Sequence, residues 1–182
     1  MQVVSYEPKY AASVAELLNK YLPFELETAE TVEQAGGIRF VCITNEEVIG
    51  YIAGYIMKDF NEDFPYFHEP LSNLREIVTN SQSVYTSHFV VDPAYRKQGI
   101  GTKLVATFME KAEQVARTIV VVGGVQSDTN TWEAERLFLK HGFHQAVYIE
   151  RYFEPYEVHC PSCQGMCYCD ANILLKTITP SI

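Results

Sequence analysis

Apolar and polar residues alternate along this chain with two periods, and the changes of period divide it into elements. Val3-Val4-Ser5 reads as a short strand. Pro8 stands where a helix can begin, because a missing N–H is no loss in a first turn. Tyr10, Val14, Leu17, Leu18 and Tyr21 then return at helical spacing until Pro23 stops the run. A second helix is predicted over Leu26 to Gln34, ended by Gly36-Gly37. Ile38 to Thr44 and Glu47 to Lys58 are rich in β-formers and joined by Asn45-Glu46, which predicts an antiparallel hairpin. Asp59 to Gln82 mixes acids and aromatics and offers a short helix near Leu71 to Val78; Ser83 to Val91 is the next strand. Gly99 to Arg117 carries one apolar stripe (Ile100, Leu104, Val105, Phe108, Met109, Ala112 and Val115) and predicts a helix. Thr118 to Val122 is an unbroken β-rich run, the pattern of a fully buried strand. Asn130 and Glu133 have capping-box spacing ahead of a helix that places Ala134, Leu137, Phe138 and His141 on one face and ends at Gly142. Phe143 to Phe153 and Ala171 to Thr179 are the last two strands. The order is β-α-α-β-β-β-α-β-α-β-β, a mixed α/β chain with antiparallel hairpins and helical crossovers.

With 182 residues, 47% of them hydrophobic, the chain can bury a real core, and no Pro/Gly/Ser-rich linker divides it; residues 1–182 read as one domain. No stretch approaches the roughly 20 consecutive apolar residues of a membrane helix. Met1 to Glu7 lacks a basic region followed by a long apolar run, so the expectation is a cytoplasmic protein with no membrane partner. The formal net charge of -9 argues against nucleic acid as a partner, since phosphate binding needs a dense basic surface. It suits a cationic acceptor such as an amine, and it equally suits plain solubility.

One stretch carries chemistry: Val90-Val91-Asp92-Pro93-Ala94-Tyr95-Arg96-Lys97-Gln98-Gly99-Ile100-Gly101-Thr102. A buried strand runs into a turn, then into a basic loop with glycines, then into a helix. N–H groups at a helix N-terminus point outward and the helix dipole favours negative charge there. Gly99 and Gly101 let backbone approach phosphate oxygens without a Cβ between them, and Arg96 and Lys97 add positive charge. A nucleoside-triphosphate loop would need Gly-x-x-x-x-Gly-Lys-Ser/Thr, which is absent. A dinucleotide fingerprint would need a third glycine. A phosphate site and a helix start with turn glycines both fit the spacing alone.

Arg96-x-x-Gly99-x-Gly101, led in by Val91-Asp92-Pro93, resembles the Gln/Arg-x-x-Gly-x-Gly/Ala motif of the GNAT superfamily of N-acetyltransferases. Downstream, Ala134, Phe138, Lys140, Gly142 and Phe143 resemble that family's second motif, Asn-x-x-Ala-x-x-Leu-Tyr-x-Lys-x-Gly-Phe. The order of elements matches over nearly the whole chain. The resemblance implies a GNAT-type fold with a central, mostly antiparallel sheet flanked by helices, and acetyl-coenzyme A as co-substrate. It implies that the N–H groups of Arg96, Lys97, Gln98, Gly99, Ile100, Gly101 and Thr102 hold the coenzyme pyrophosphate, and that Phe89 and Val91 offer backbone groups to the pantetheine arm. The implied reaction is direct attack of an amine, of a small molecule or a peptide, on the acetyl thioester. A backbone N–H stabilises the oxyanion and a general base takes the proton. A homodimer stays open.

Two positions depart from the family pattern. The tyrosine that often serves as acid falls on Phe138, which has no proton to give. Either another group protonates the thiolate or it leaves unassisted, as a thiol with a pKa of about 8.5 can. The family asparagine falls on Thr131, with Asn130 one place early; Thr131 is taken as its counterpart at the coenzyme. The base is sought on the strand before the loop, at Tyr85 and Ser87, with His88 on the opposite face unless a bulge changes the parity. The alternative for His88 is a hydrogen-bonded, inert strand histidine. Glu62, Asp63, His68 and Glu69 are further base candidates, or a solvated acidic loop. A non-catalytic acyl-CoA-binding domain on the same fold is the second reading, resting on Phe138.

Of five cysteines, Cys42 sits in an apolar run and belongs to the core. The others fall in a loop over residues 159–170, between the last two predicted strands: His159-Cys160-Pro161-Ser162-Cys163-Gln164-Gly165-Met166-Cys167-Tyr168-Cys169. Cys160, Cys163, Cys167 and Cys169, with His159 as a further donor, form a ligand set for tetrahedral zinc, although the gap between the two pairs is short for a zinc module. Disulfides, a thiol-reactive site, four free cysteines and a zinc-stabilised protein-interaction loop are the alternatives.

Overall fold

The computed structural model of the chain describes residues 1–22, 26–160 and 163–178. Pro23 and Thr179, expected to bound the first helix and the last strand, lie outside the described residues. The elements are β1 (Gln2–Ser5), α1 (Ala11–Tyr21), α2 (Ala29–Gln34), β2 (Ile38–Thr44), β3 (Glu47–Ile56), α3 (Phe60–Asp63), α4 (Ser72–Thr79), β4 (Ser83–Val91), α5 (Ile100–Ala112), β5 (Thr118–Val125), α6 (Glu135–Lys140), β6 (His144–Ile149), β7 (His159–Cys160), β8 (Gly165–Met166) and β9 (Asp170–Thr177). Seven strands form one sheet in the order β1-β2-β3-β4-β5-β9-β6, and β7-β8 is a separate ribbon. The mixed α/β architecture is the one the periodicities predict, and the mostly antiparallel sheet is the one the resemblance implies. Among the described residues no helix is long and apolar enough to cross a membrane. The chain divides into two compact units, residues 1–55 with 86–112, and residues 56–85 with 113–182.

In the first unit, α1 buries Ala11, Val14, Ala15, Leu17 and Leu18, a stripe that packs with Val32, Val41, Val48, Tyr51, Ala53 and Val90. Helix α2 begins at Ala29, not Leu26, because Thr28 and Thr31 close a capping box: each hydroxyl accepts from the other's backbone N–H, at 3.2 and 2.9 Å. The β2–β3 hairpin turns through Asn45 (φ 47) and Glu46 (φ 67), the two left-handed residues a tight primed turn requires. Cys42 is buried in β2, as expected. Helix α5 packs on β3 at Gly50, where a Cβ would stand 3.0 Å from the Leu104 side chain and 3.3 Å from that of Ile100.

In the second unit, β9 pairs antiparallel with β5 along its whole length and with β6 on its other edge. The core gathers Phe60, Phe64, Leu71, Leu74, Val78, Val120, Ile149, Tyr152, Ala171, Ile173 and Leu175. The helix expected to reach Arg117 ends at Ala112. Arg117 is committed to strand-like bonds instead: its N–H donates to Gln82 O (2.7 Å) and its carbonyl accepts from Ile178 N (2.8 Å). The expected capping box at Asn130 and Glu133 does not form. Asn130 takes the left-handed conformation (φ 51) in a turn closed by the Gln126–Thr131 bridge, and α6 starts later, at Glu135. Asparagine tolerates that conformation, so the same residue serves a turn as readily as a helix start. The strand expected to run to Phe153 stops at Ile149, where Arg151 (φ 52) turns the chain and donates its N–H to Asp170 Oδ1 at 2.8 Å.

Strand β5 runs beyond the predicted Val122 through Gly123-Gly124, and these glycines are seats for aromatic rings. A Cβ on Gly123 would run into the Trp132 ring, and one on Gly124 would stand 3.3 Å from Phe153. Trp132 in turn stacks on Phe138, with centroids 5.6 Å apart. Gly123→Ala therefore has to push the indole off the strand. The expected cost is about 1–3 kcal/mol of overpacking, a fall in Tm of roughly 3–10 °C for a chain of this length. Trp132 is the single tryptophan, so its fluorescence reports the displacement directly as a red shift. An unchanged spectrum and Tm would contradict this packing.

Candidate active site

The loop singled out from sequence lies wholly in the first unit. Its entry is fixed by Asp92. The Asp92 N–H donates to Ile49 O (2.9 Å), Oδ1 accepts from Ala94 N (2.8 Å), and Oδ2 accepts from the Tyr21 hydroxyl (3.0 Å). Pro93 opens the short turn Pro93–Tyr95, and β4 ends beneath it at Val91. Arg96 Nε donates to Val91 O at 3.1 Å. That bond ties the loop to the strand end and occupies part of the carbonyl that the resemblance assigned to pantetheine.

Lys97 (φ 60) and Gly99 (φ 80) are both left-handed, around an exposed Gln98. Such alternation turns successive N–H groups toward one side, an anion-binding concavity. Gly99 meets nothing within 4 Å at its Cβ position, so space stands open there. Ile100 is 3% exposed and anchors the first turn of α5 in the core. The first helical bond comes from Lys103 N to Gly99 O (3.1 Å), so the N–H groups of Ile100, Gly101 and Thr102 precede the ladder. The loop residues Arg96 to Thr102 thus stand at a helix N-terminus, a place where free N–H groups can receive an anion.

Burial alternates along β4 from Val84 to Thr86, and Ser87, His88 and Phe89 follow as three successive half-buried residues. His88 Nδ1 is 3.2 Å from Ser87 Oγ, and His88 Nε2 is 3.8 Å from Glu27 Oε1. Its ring lies 6.2 Å from that of Tyr51, whose phenol burial pushes up to about 12. Glu27 is held from several sides. Its N–H donates to Asn19 Oδ1 (2.8 Å), its carbonyl accepts from Asn19 Nδ2 (2.7 Å), and Oε2 accepts from the Thr31 hydroxyl (2.6 Å). Sequence reading missed Glu27 and Tyr51. No local signal marks Glu27, since its partner lies far along the chain on another element.

The remaining candidates fall in the second unit. Tyr85 packs edge-on against Phe64, with centroids 5.8 Å apart, and burial raises its phenol well above the ordinary range, with Tyr156 and Asp63 adding to the effect. Burial therefore favours the neutral phenol there. His68 is exposed, with Nδ1 2.8 Å from Arg75 Nη2; Glu62 and Glu69 are exposed, and Asp63 ends the one-turn α3. Thr131 is exposed, bridged to Gln126 and 2.8 Å from the Thr129 hydroxyl. Phe138 is 1% exposed, between Trp132 and Phe143.

The four loop cysteines come together. Their sulfurs all lie within 4.8 Å of one another, with Cys163–Cys169 at 3.5 Å and Cys160–Cys169 at 3.9 Å; each is a free thiol. His159 is exposed on β7 and stands outside this group. Burial tends to raise the Cys163 thiol, but hydrogen bonds from the Tyr168 backbone, Ser127 and its neighbouring thiols bring it down to about 7. Burial pushes Cys169 up to about 11, and Cys167 higher still.

Residues 9–143 match the model of the acetyltransferase (GNAT) family, and the chain belongs to that family. No curated protein matches the sequence. Similar solved structures include the ribosomal-protein-S18-alanine N-acetyltransferase from Escherichia coli, at 16% identity and TM-score 0.66, covering 100% of this chain and 96% of that one. Arabidopsis thaliana NAA60 in complex with acetyl-CoA is similar at 14% identity and TM-score 0.69, covering 97% and 98%. Arabidopsis thaliana Naa50 in complex with the bisubstrate analogue CoA-Ac-MVNAL is similar at 18% and TM-score 0.64, covering 97% and 98%. At these identities the likeness is one of fold.

Proposed function

We propose that this chain, acting as one domain, transfers the acetyl group of acetyl-CoA to a primary amine, with the loop Arg96 to Thr102 as the coenzyme site and His88 as the general base. The observation that carries the reading is the loop itself: left-handed Lys97 and Gly99 lead into a helix N-terminus, tethered through Arg96 to the end of the strand that bears His88. Acetyl-CoA supplies an acyl group activated as a thioester. The residues supply the rest. Loop N–H groups hold the diphosphate. His88 takes the proton from the attacking nitrogen as the N–C bond forms and the C–S bond breaks, and the Glu27 carboxylate at 3.8 Å stabilises the resulting imidazolium. The Ser87 hydroxyl at 3.2 Å extends the reach of His88 toward an acceptor. Phe138 supplies no acid, and the thiol, with a pKa of about 8.5, leaves as thiolate.

The net charge of -9 suits a cationic acceptor. The similar structures include a ribosomal-protein-S18-alanine N-acetyltransferase and a complex with the bisubstrate analogue CoA-Ac-MVNAL, so peptide α-amines head the acceptor panel, followed by polyamines and amino sugars. Acetylated product is measured by mass spectrometry and coenzyme A by thiol release. The expected result is acetylation of at least one class with equal release of coenzyme A. Coenzyme binding with no transfer to any amine would favour the non-catalytic binding domain, the reading in which Phe138 marks a lost acid.

A further inference from the structure

The segment that links β6 to β9 has little regular structure, and four thiols converge in it. The tight β7–β8 ribbon, in register Cys160↔Gly165 and turned through left-handed Gln164 (φ 52), brings Cys160 and Cys163 together despite the short gap in sequence. Cys167 N donates to Val158 O (2.7 Å), and the Cys169 carbonyl accepts from Phe153 N (3.3 Å), which aims the second pair at the first. Cys167 is 2% exposed and Cys169 4%.

Four sulfurs at about 2.3 Å from one centre in a tetrahedron stand about 3.8 Å apart. The sulfurs here, at 3.5 and 3.9 Å and all within 4.8 Å, have that spacing. Thiols attract one another weakly and thiolates repel, so a cation at the centre accounts for the convergence. A donor stands beside the sulfurs: Ser127 Oγ lies 3.6 Å from Cys163 Sγ. Outer hydrogen bonds of this kind orient and support metal-bound thiolates. A spread of 4.8 Å holds one ion and excludes an iron–sulfur cluster, whose irons and sulfides must stand between the cysteine sulfurs.

We propose that Cys160, Cys163, Cys167 and Cys169 bind a single zinc ion. The tetrahedral all-thiolate set selects zinc, and four protein ligands close the shell, so the ion is structural. It joins the β7–β8 ribbon to the residues that lead into β9 and supplies folding energy to a segment with few strand bonds of its own. The proposal stands independently of acyl transfer.

The test is elemental analysis of protein purified without added metal or chelator. About one zinc per chain is expected in the wild type and in Cys42→Ala, and about a tenth of that or less in Cys163→Ser/Cys169→Ser. Should the double variant fail to fold, cobalt replaces zinc in the wild type. Thiolate-to-cobalt charge transfer and the intense visible bands of tetrahedral cobalt would support the site. Wild-type protein that stays metal-free after refolding with equimolar zinc, with all five thiols titrating, would overturn it. Iron in place of zinc, with or without labile sulfide, would overturn the choice of ion.

Discussion

Replacing His88 with Ala is expected to lower kcat by about 10²–10⁴-fold, with the KM for acetyl-CoA changed by no more than about twofold, since the coenzyme loop is untouched. The physical case is local to one unit. His88 sits between a hydroxyl at 3.2 Å and a carboxylate at 3.8 Å, on the strand that runs into the coenzyme loop. A neutral imidazole there can take a proton, and the carboxylate lowers the energy of the cation that results. Glu27→Gln keeps the shape and removes the charge. A smaller loss follows, about tenfold, because a half-buried pair beyond hydrogen-bond distance is partly screened. Partial rescue of His88→Ala by added imidazole would separate base chemistry from a packing defect. Wild-type kcat in His88→Ala would make this residue an inert strand histidine and move the base elsewhere.

Gly99→Val is expected to weaken coenzyme A binding about a hundredfold, by calorimetry, with a much smaller effect on Tm. At φ 80 a side chain costs about 1–2 kcal/mol of backbone strain, and a β-branched one sits there worst. Relaxing that strain turns the loop N–H groups away from the phosphates, and each charge-assisted bond lost costs about 1.5–3 kcal/mol. A sum near about 3 kcal/mol gives the hundredfold loss. The protein itself has nothing within 4 Å of the new Cβ, so the damage falls on the ligand and not on the core. Affinity within about threefold of wild type would remove Gly99 from the coenzyme site.

What could be read from the chain alone followed the reach of its signals. The apolar stripe of α5 from Ile100 to Ala112, the β2–β3 turn and the loop glycines are local, and the structure has each of them where the spacing placed it, while Val115 falls beyond the end of the helix. Ends of elements were less legible. Asn130 satisfies the rule for a helix start and the rule for a left-handed turn, and only the Gln126–Thr131 bridge decides between them. The Gly123–Trp132 seat and the Glu27–His88 pair each join a strand residue to one in a loop elsewhere along the chain, and no period in the sequence encodes such a pairing. The cysteines were visible as a cluster. That their sulfurs close to within 4.8 Å depends on the β7–β8 ribbon, two residues on each side, too short to leave a pattern.

The most direct test of the central claim is a titration of isotopically labelled protein with coenzyme A, followed at each backbone amide by NMR. The account predicts saturable shifts that are largest at the N–H groups of Lys97 through Thr102, where left-handed residues open onto the start of α5. Saturable shifts confined to other segments, with Lys97 through Thr102 unmoved, would contradict it.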